Sequence, residues 1–299
     1  MVIGRFAPSP SGRMHLGNVF SAMLAWLSVR SAGGKMILRI EDLDPDRCRP
    51  EYAEQLKRDL EWLSLGWDEE QTPQSQRTAA YAEAFARLDT YPCYCSRSEL
   101  HAASAPHASD GTFLYAGTCR NLTAAERAAK TRRPAWRVRV PEEQISFTDG
   151  LQGQVRETLS RSCGDFILRR SDGVYAYQLA VVVDDAAGGV TEVVRGRDLL
   201  SSTPRQLWLQ TQLGLPHPRY FHVPLLLAPD GRRLSKREHD LDLGALRQAL
   251  TAEQLLGKLA FLAGLLDRPE AASAAELARE FDWTHVFSKN ISINSVFFH

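Results

Sequence analysis

The chain has 299 residues, 44% of them hydrophobic and 24% charged, which allows one large α/β domain with an insertion or two modest domains. Lysine plus arginine and aspartate plus glutamate both number 36, so no overall basic charge points to nucleic acid, although a local basic surface suffices for phosphate contacts. The start, Met1-Val2-Ile3-Gly4-Arg5, lacks the features of a signal peptide, and no apolar run approaches the ~20 residues of a membrane-spanning helix. Five cysteines without a secretion signal argue against a disulfide framework, so a cytoplasmic protein with no membrane partner is expected.

Val2 to Phe6 reads as a short buried strand, followed by a loop rich in proline, serine and glycine. Asn18 to Ala32 reads as a helix, because Val19, Met23, Trp26 and Leu27 recur at helical spacing and Gly33-Gly34 stops the run. Lys35 to Ile40 is the next strand, which makes a β-loop-α-β unit with parallel strands. Ala53, Leu56, Leu60 and Leu63 mark a helix after Pro50, and Tyr81, Phe85 and Leu88 mark another. The character changes over residues 91–150, with cysteines, small residues and a basic run, and this segment reads as an insertion. Strand signals return at Phe166-Ile167-Leu168, a Ser171-Asp172-Gly173 turn and Val174 to Val183, then at Val190 to Arg195. Thr203-Pro204 has the form of an N-cap followed by proline at the first helical position. Val223 to Leu227 is a last apolar strand, the pattern beyond Leu241 is helical, and the tail from Asn290 is not periodic.

The most informative stretch is Arg5-Phe6-Ala7-Pro8-Ser9-Pro10-Ser11-Gly12 followed by His15-Leu16-Gly17-Asn18. It leaves a parallel strand and enters a helix N-terminus, where ligands of open α/β sheets sit and where unpaired N–H groups attract phosphate. Gly17 permits close approach of backbone to a nucleotide, and His15 can donate to phosphate oxygens that gain charge during transfer. Further on, Gly231-Arg232-Arg233-Leu234-Ser235-Lys236-Arg237 is a basic loop after a strand and tight turn, and its lysine could follow a triphosphate.

Together these segments resemble the signatures of class I glutamyl- and glutaminyl-tRNA synthetases, the HIGH and KMSKS motifs, with Asn18 where the family has a second histidine. The resemblance implies a Rossmann-type parallel sheet formed by residues 1–90 and 151–240, with a zinc-bearing insertion at 91–150 and a short helical region at 241–299. It implies no anticodon-binding domain. His15 and Lys236 are the implied catalytic residues, and His15, Gly17, Asn18, Ser235 and Lys236 the implied ATP site, with Mg2+ accompanying the ATP. Arg39-Ile40-Glu41-Asp42-Leu43-Asp44 and Tyr175 to Asp185, leading to Val194-Arg195-Gly196, also match the family. The implied glutamate pocket is Arg5, Phe6, Ala7, Pro8, Ser9, Glu41, Tyr177 and Arg195. The chemistry is coherent, since two arginines can hold the two carboxylates of glutamate while Glu41 takes the ammonium. Which arginine takes which carboxylate stays open.

Cys93, Cys95 and Cys119 supply three of the four ligands that a structural zinc needs. Chemistry alone favours His101 or His107 as the fourth over Tyr115, whereas the family resemblance, C-x-C followed by Y-x-x-x-C, points to Cys93, Cys95, Tyr115 and Cys119 around one structural Zn2+. Arg120 to Arg139 holds seven lysines or arginines and one acid, Glu126, a candidate phosphate-contact surface. The short length, Asn18, the C-x-C insert and the tail Ile293-Asn294-Ser295 resemble a truncated group within the family. That group attaches glutamate to the queuosine at the wobble position of tRNA(Asp). The expected partners are therefore that tRNA, L-glutamate and ATP, with the chain a monomer. The alternatives are a minimal enzyme charging tRNA(Glu), or a non-catalytic paralogue that binds tRNA or an amino acid.

Overall fold

The computed structural model describes residues 1–96, 114–232 and 242–293. Strand β1 (Ile3–Phe6) leads through a loop to helix α1 (Leu16–Ser31), which returns the chain to β2 (Lys35–Leu38). β1 and β2 are parallel, with Ile3 opposite Lys35 and Phe6 opposite Leu38. Helix α2 (Pro50–Trp62), opened by a proline at its first position, then delivers β3 (Glu69–Glu70) parallel to β2. α1 starts two residues before the expected Asn18, and ten of its residues are buried, from Leu16 to Val29. A helix buried on most sides needs cover from more than a sheet, and the C-terminal helices supply it.

Helix α3 (Thr78–Ala86) precedes β4 (Thr90–Cys93). After the short α4 (Ala124–Ala128), β5 (Ala135–Val138) pairs antiparallel with β4. β6 (Gln144–Asp149) and β7 (Gly153–Thr158) form a hairpin, followed by α5 (Leu159–Ser162) and β8 (Ile167–Arg169). β8 completes an antiparallel sheet in the order β4-β5-β8, with an irregularity between Trp136 and Arg137.

The strand expected over Val174 to Val183 is instead the helix α6 (Tyr177–Ala187); after β8 and the turn only a single bridge, Arg169 to Tyr175, forms. A continuous apolar run has no periodicity that separates a buried strand from a buried helix. The helix is fixed by distant partners of its two aspartates. Asp184 accepts from Gln74, Arg77 and Tyr81, and Asp185 meets Arg39 and Arg5. Strand β9 (Glu192–Gly196) lies beside β1, where Thr191 N donates to Ile3 O at 2.9 Å.

Helix α7 (Thr203–Leu213) begins at Thr203, so the cap position falls on Ser202 rather than on the expected Thr203, whose hydroxyl is used elsewhere. β10 (Arg219–Val223) is parallel to β9. The single strand expected from Val223 to Leu227 is broken at Pro224, which has no N–H to give a ladder, and resumes as β11 (Leu226–Leu227). Helices α8 (Leu243–Ala249), α9 (Ala252–Ala263) and α10 (Ala274–Arg279) then pack with α1 in the largest core. α9 and α10 each start on a capping box, Thr251/Gln254 and Ser273/Glu276. Trp283 stacks on Phe221 at 4.3 Å and donates to Ser28 Oγ. The tail, where no element is expected, holds β12 (Ile291–Ser292), parallel to β11.

Candidate active site

A cavity of about 610 Å3 opens at the carboxyl ends of β1 and β9, the end of a parallel sheet at which ligands bind. Every described residue of the expected glutamate and nucleotide sites lines it: Arg5, Phe6, Ala7, Pro8 and Ser9 on one wall, Glu41, Tyr177 and Arg195 on another, and His15, Gly17 and Asn18 at the start of α1. Ser235 and Lys236 lie outside the described residues. So do His101 and His107, and Asn294-Ser295 of the tail. The described flanks of the basic loop are close to the cavity. Leu226 lines it, and Asp242 bridges to His15 across an antiparallel pair, with Leu243 N donating to Met14 O at 3.0 Å.

His15 is the N-cap of α1. Its Nδ1 accepts from Gly17 N at 3.1 Å, while Asn18 Oδ1 accepts from His15 N at 3.2 Å, which closes a capping box. An accepting Nδ1 places the proton of the neutral ring on Nε2. A Cβ at Gly17 would sit 3.1 Å from the His15 ring, so glycine there leaves room for the imidazole. Asn18, the departure from the family motif, is the return partner of this box.

Five charged side chains are buried together: Arg5, Arg39 and Arg195 against Glu41 and Asp185. Arg39 binds Asp185 Oδ1 through Nη1 at 2.7 Å and Glu41 Oε1 through Nη2 at 3.1 Å. Arg5 Nε approaches the same Asp185 oxygen at 3.3 Å. Burial opposes ionisation of Asp185, but Arg39 and Arg5 outweigh it and hold this carboxyl below its ordinary value. Burial dominates at Glu41 and pushes its carboxyl up against the pull of the same two arginines. Arg195 is built differently. Among the described residues no carboxylate lies within ion-pair distance of it; Nε donates to His222 Nε2 at 3.0 Å, Nη2 to Thr203 Oγ1 at 2.8 Å and Nη1 to Tyr177 Oη at 3.4 Å.

His222 is fully buried and meets Asp149 Oδ2 through Nδ1 at 2.6 Å. Burial, joined by Arg195, lowers its pKa to about 4 although Asp149 works the other way. The unfolded chain would protonate this ring near its ordinary 6.5, so below that pH the unfolded state binds more protons and the folded state loses ground. Urea unfolding is therefore expected to show about 2 kcal/mol less stability at pH 5 than at pH 7 from this group, and His222→Gln should remove that part of the difference.

In the insert, the sulfurs of Cys93, Cys95 and Cys119 lie within 4.8 Å of one another, with Cys95 and Cys119 at 3.6 Å. Tyr115 Oη is 3.6 Å from Cys93 Sγ and accepts from Cys119 N at 2.7 Å. Tetrahedral zinc with sulfur ligands at 2.3 Å sets neighbouring ligands about 3.8 Å apart, so this donor set fits the ion. Arg137 donates to Cys93 Sγ at 3.2 Å and stacks over the Tyr115 ring. Burial raises the Cys93 thiol, but Arg137 reverses this and the net direction is down. Arg120, Arg137 and Arg139 of the basic run are engaged in packing around Asp165 and Tyr91, Arg127 is half-buried, and Lys130, Arg132 and Arg133 are its exposed members.

Arg39, Asp185, His222 and Asp149 carry no individual role in the sequence reading, and Thr203 only that of a helix cap. Arg39 and Asp185 do fall inside the family-like stretches, but their pairing spans 146 residues, and Asp149 is 73 residues from His222. Pairings across such distances leave no local pattern.

The sequence profile of the tRNA synthetases class I (E and Q), catalytic domain, matches residues 1–295. A glutamyl-Q tRNA(Asp) synthetase from Nitratidesulfovibrio vulgaris strain Hildenborough is 54% identical over 284 residues, which cover 89% of this chain and 87% of that protein. One from Symbiobacterium thermophilum is 50% identical over 305 residues, covering 96% and 94%. Among solved structures, a glutamate tRNA ligase from Elizabethkingia meningosepticum in complex with its amino acid superposes with a TM-score of 0.83 at 27% identity, over 99% of this chain and 68% of that one. Among the described residues, no helix is long and apolar enough to cross a membrane. The chain belongs to the class I tRNA synthetases of the E and Q type, and its cavity lies in their catalytic domain.

Proposed function

We propose that this chain activates L-glutamate with Mg-ATP and passes the glutamyl group to the queuosine at the wobble position of tRNA(Asp). The observation that carries the amino acid is the charge of the cavity. Of the three buried guanidinium groups, Arg39 and Arg5 pair directly with Glu41 and Asp185, while Arg195 has no carboxylate within ion-pair distance among the described residues, so its positive charge is not directly matched. Glutamate, with two carboxylates and one ammonium, brings the missing negative charge, and glutamine does not. Arg5 and Arg195 hold the carboxylates, Glu41 receives the ammonium, and Phe6 to Ser9 with Tyr177 close the walls. The acceptor is supported by the two relatives named above.

In the first step an α-carboxylate oxygen attacks the α-phosphorus in line, and pyrophosphate leaves. The start of α1 offers N–H groups to the phosphates, beside Gly17 and Asn18, and His15 Nε2–H donates to oxygens that gain charge. Lys236 stands six residues before Asp242, within about 20 Å of stretched chain; with Ser235 it stabilises the departing pyrophosphate. Mg2+ spreads the charge of the triphosphate when bound. In the second step a hydroxyl of the queuosine diol attacks the acyl carbon, AMP leaves, and the hydroxyl proton goes to solvent or phosphate. Catalysis is positioning plus electrostatic stabilisation. We place the reaction in the cytoplasm, with the chain a monomer of catalytic residues 1–90 and 151–240, an insert at 91–150 and a helical end at 241–299.

One structural Zn2+ on Cys93, Cys95, Tyr115 and Cys119 would cross-link β4 to the residues before α4. Cys95→Ala is expected to lose most of the bound zinc and to make the insert cleave sooner in limited proteolysis; unchanged zinc content would exclude the site. For the reaction itself, labelled glutamate is incubated with ATP and tRNA(Asp) with or without queuosine. Only the queuosine form should be labelled, and prior periodate treatment should abolish labelling. Charging of tRNA(Glu) instead would identify the minimal synthetase. Absence of glutamate-dependent pyrophosphate exchange would leave a binding protein.

A further inference from the structure

We propose that Asp149, His222 and Thr203 are positioning residues that hold Arg195 in a socket of neutral acceptors, so that its charge stays available to a substrate carboxylate. This rests on the reading of Arg195 as a glutamate ligand and adds to it the machinery that makes an arginine useful there. A buried guanidinium ordinarily takes an acid partner, as Arg39 does. Arg195 is also buried, and takes an imidazole nitrogen and two hydroxyls. Three of its five N–H groups are thus satisfied without neutralising its charge. One N–H on each terminal nitrogen is left for a ligand.

The socket works only if the His222 lone pair is on Nε2, and Asp149 decides this. Its Oδ2 takes the Nδ1 proton at 2.6 Å. Its Oδ1 is held by three backbone donors, Leu151 N, Gln152 N and His222 N, at 3.0, 2.9 and 3.2 Å. The carboxylate therefore cannot turn away. Thr203 Oγ1 lies 3.1 Å from His222 Nε2 and accepts from Arg195 at the same time. The other groups facing the ring are Arg5, which adds positive charge, and Tyr220, whose ring stacks on it. Burial and the positive charge of Arg195 and Arg5 oppose a second proton on the imidazole, so the ring stays a neutral acceptor.

Asp149→Asn makes the sharpest test. The three backbone N–H groups fix the new carbonyl oxygen at the Oδ1 position, so the amide NH2 replaces Oδ2 and faces Nδ1. The imidazole proton must then move to Nε2, where it meets the Arg195 Nε–H donor to donor. Hydrogen bonds to charged groups are worth roughly 10- to 100-fold in affinity, and the glutamate KM in pyrophosphate exchange should rise by that factor. The ATP KM should stay within about twofold. Selective 15N labelling of histidine should show His222 protonated on Nδ1 in the native protein and on Nε2 in Asp149→Asn. Thr203→Val, nearly isosteric, is the second variant should Asp149→Asn fold poorly, and it should raise the glutamate KM alone. Equal rises for glutamate and ATP, or an unchanged glutamate KM in a folded variant with the tautomer switched, would overturn the proposal. Arg195→Ala separates the two ideas. If it leaves the glutamate KM unaltered, the assignment of Arg195 has failed. If it raises that KM while Asp149→Asn and Thr203→Val do not, only the socket has.

Discussion

Arg39→Met is expected to lower stability by about 4 kcal/mol and to abolish measurable glutamate binding, because it leaves two buried carboxylates without their shared cation. Arg39 is completely buried between Asp185 and Glu41. Methionine nearly fills its volume, so the loss is electrostatic rather than a cavity. Arg5 already stands 3.3 Å from Asp185 and can take over part of that partnership, but among the described residues no other cation lies within ion-pair distance of Glu41. Since a domain of this kind is stable by only about 5–15 kcal/mol, the variant should unfold at clearly lower urea concentration. Adding Asp185→Asn to Arg39→Met should recover part of the stability but not the glutamate affinity, since the two effects come from different carboxylates. Full recovery of both would show that Glu41 does not depend on Arg39.

Arg195→Ala should reduce kcat/KM for glutamate in pyrophosphate exchange by roughly 100- to 1000-fold, the cost of removing one partner of a buried charge pair. Stability should change much less than in Arg39→Met, because Arg195 leaves behind three neutral groups, His222, Tyr177 and Thr203, instead of naked carboxylates. In the native protein glutamine should support exchange at least about 100-fold less well than glutamate, since it leaves the unmatched positive charge buried. In Arg195→Ala that preference should shrink, because the charge that penalised glutamine is gone. A variant that kept the full preference would place the discrimination on Arg5 alone.

The two arginines illustrate what can be read along a chain. Arg5, Glu41, Tyr177, Arg195 and the start of α1 are legible because each falls in a local stretch that resembles the family's motifs, and the loop after β1 also leaves a strand end, where an open α/β sheet binds its ligands. The parallel β1-α1-β2 unit is legible for a similar reason, since its helix has apolar spacing and a glycine stop. Tyr177 to Ala187 is not, because an apolar run carries no period, and the partners of its aspartates, Gln74, Arg77, Tyr81 and Arg39, come from the residue after β2 and from the turns and helix around α3. The Asp149–His222 pair is illegible for the same reason. Thr203 shows a further limit: its position before a proline suits a cap, yet the structure uses its hydroxyl on Arg195. The second strand of the β11–β12 pair is two residues long, too short for any alternation to register.

That small pair has a bearing on synthesis. Leu226, in the cavity wall, is held by Ile291, which the ribosome adds 65 residues later. Helix α1 is likewise covered by α10, from residues 274–279, although it is made among the first thirty-one. While the chain is being made, its first helix therefore exposes a nearly all-apolar surface, and the nucleotide side of the pocket has no backing. Contacts this far apart in sequence form late and slowly, and exposed apolar surface in the interval invites aggregation. The backing of this part of the pocket wall is complete only once β12 has been made, so a chain that stops before it carries the recognisable motifs without the strand that holds Leu226.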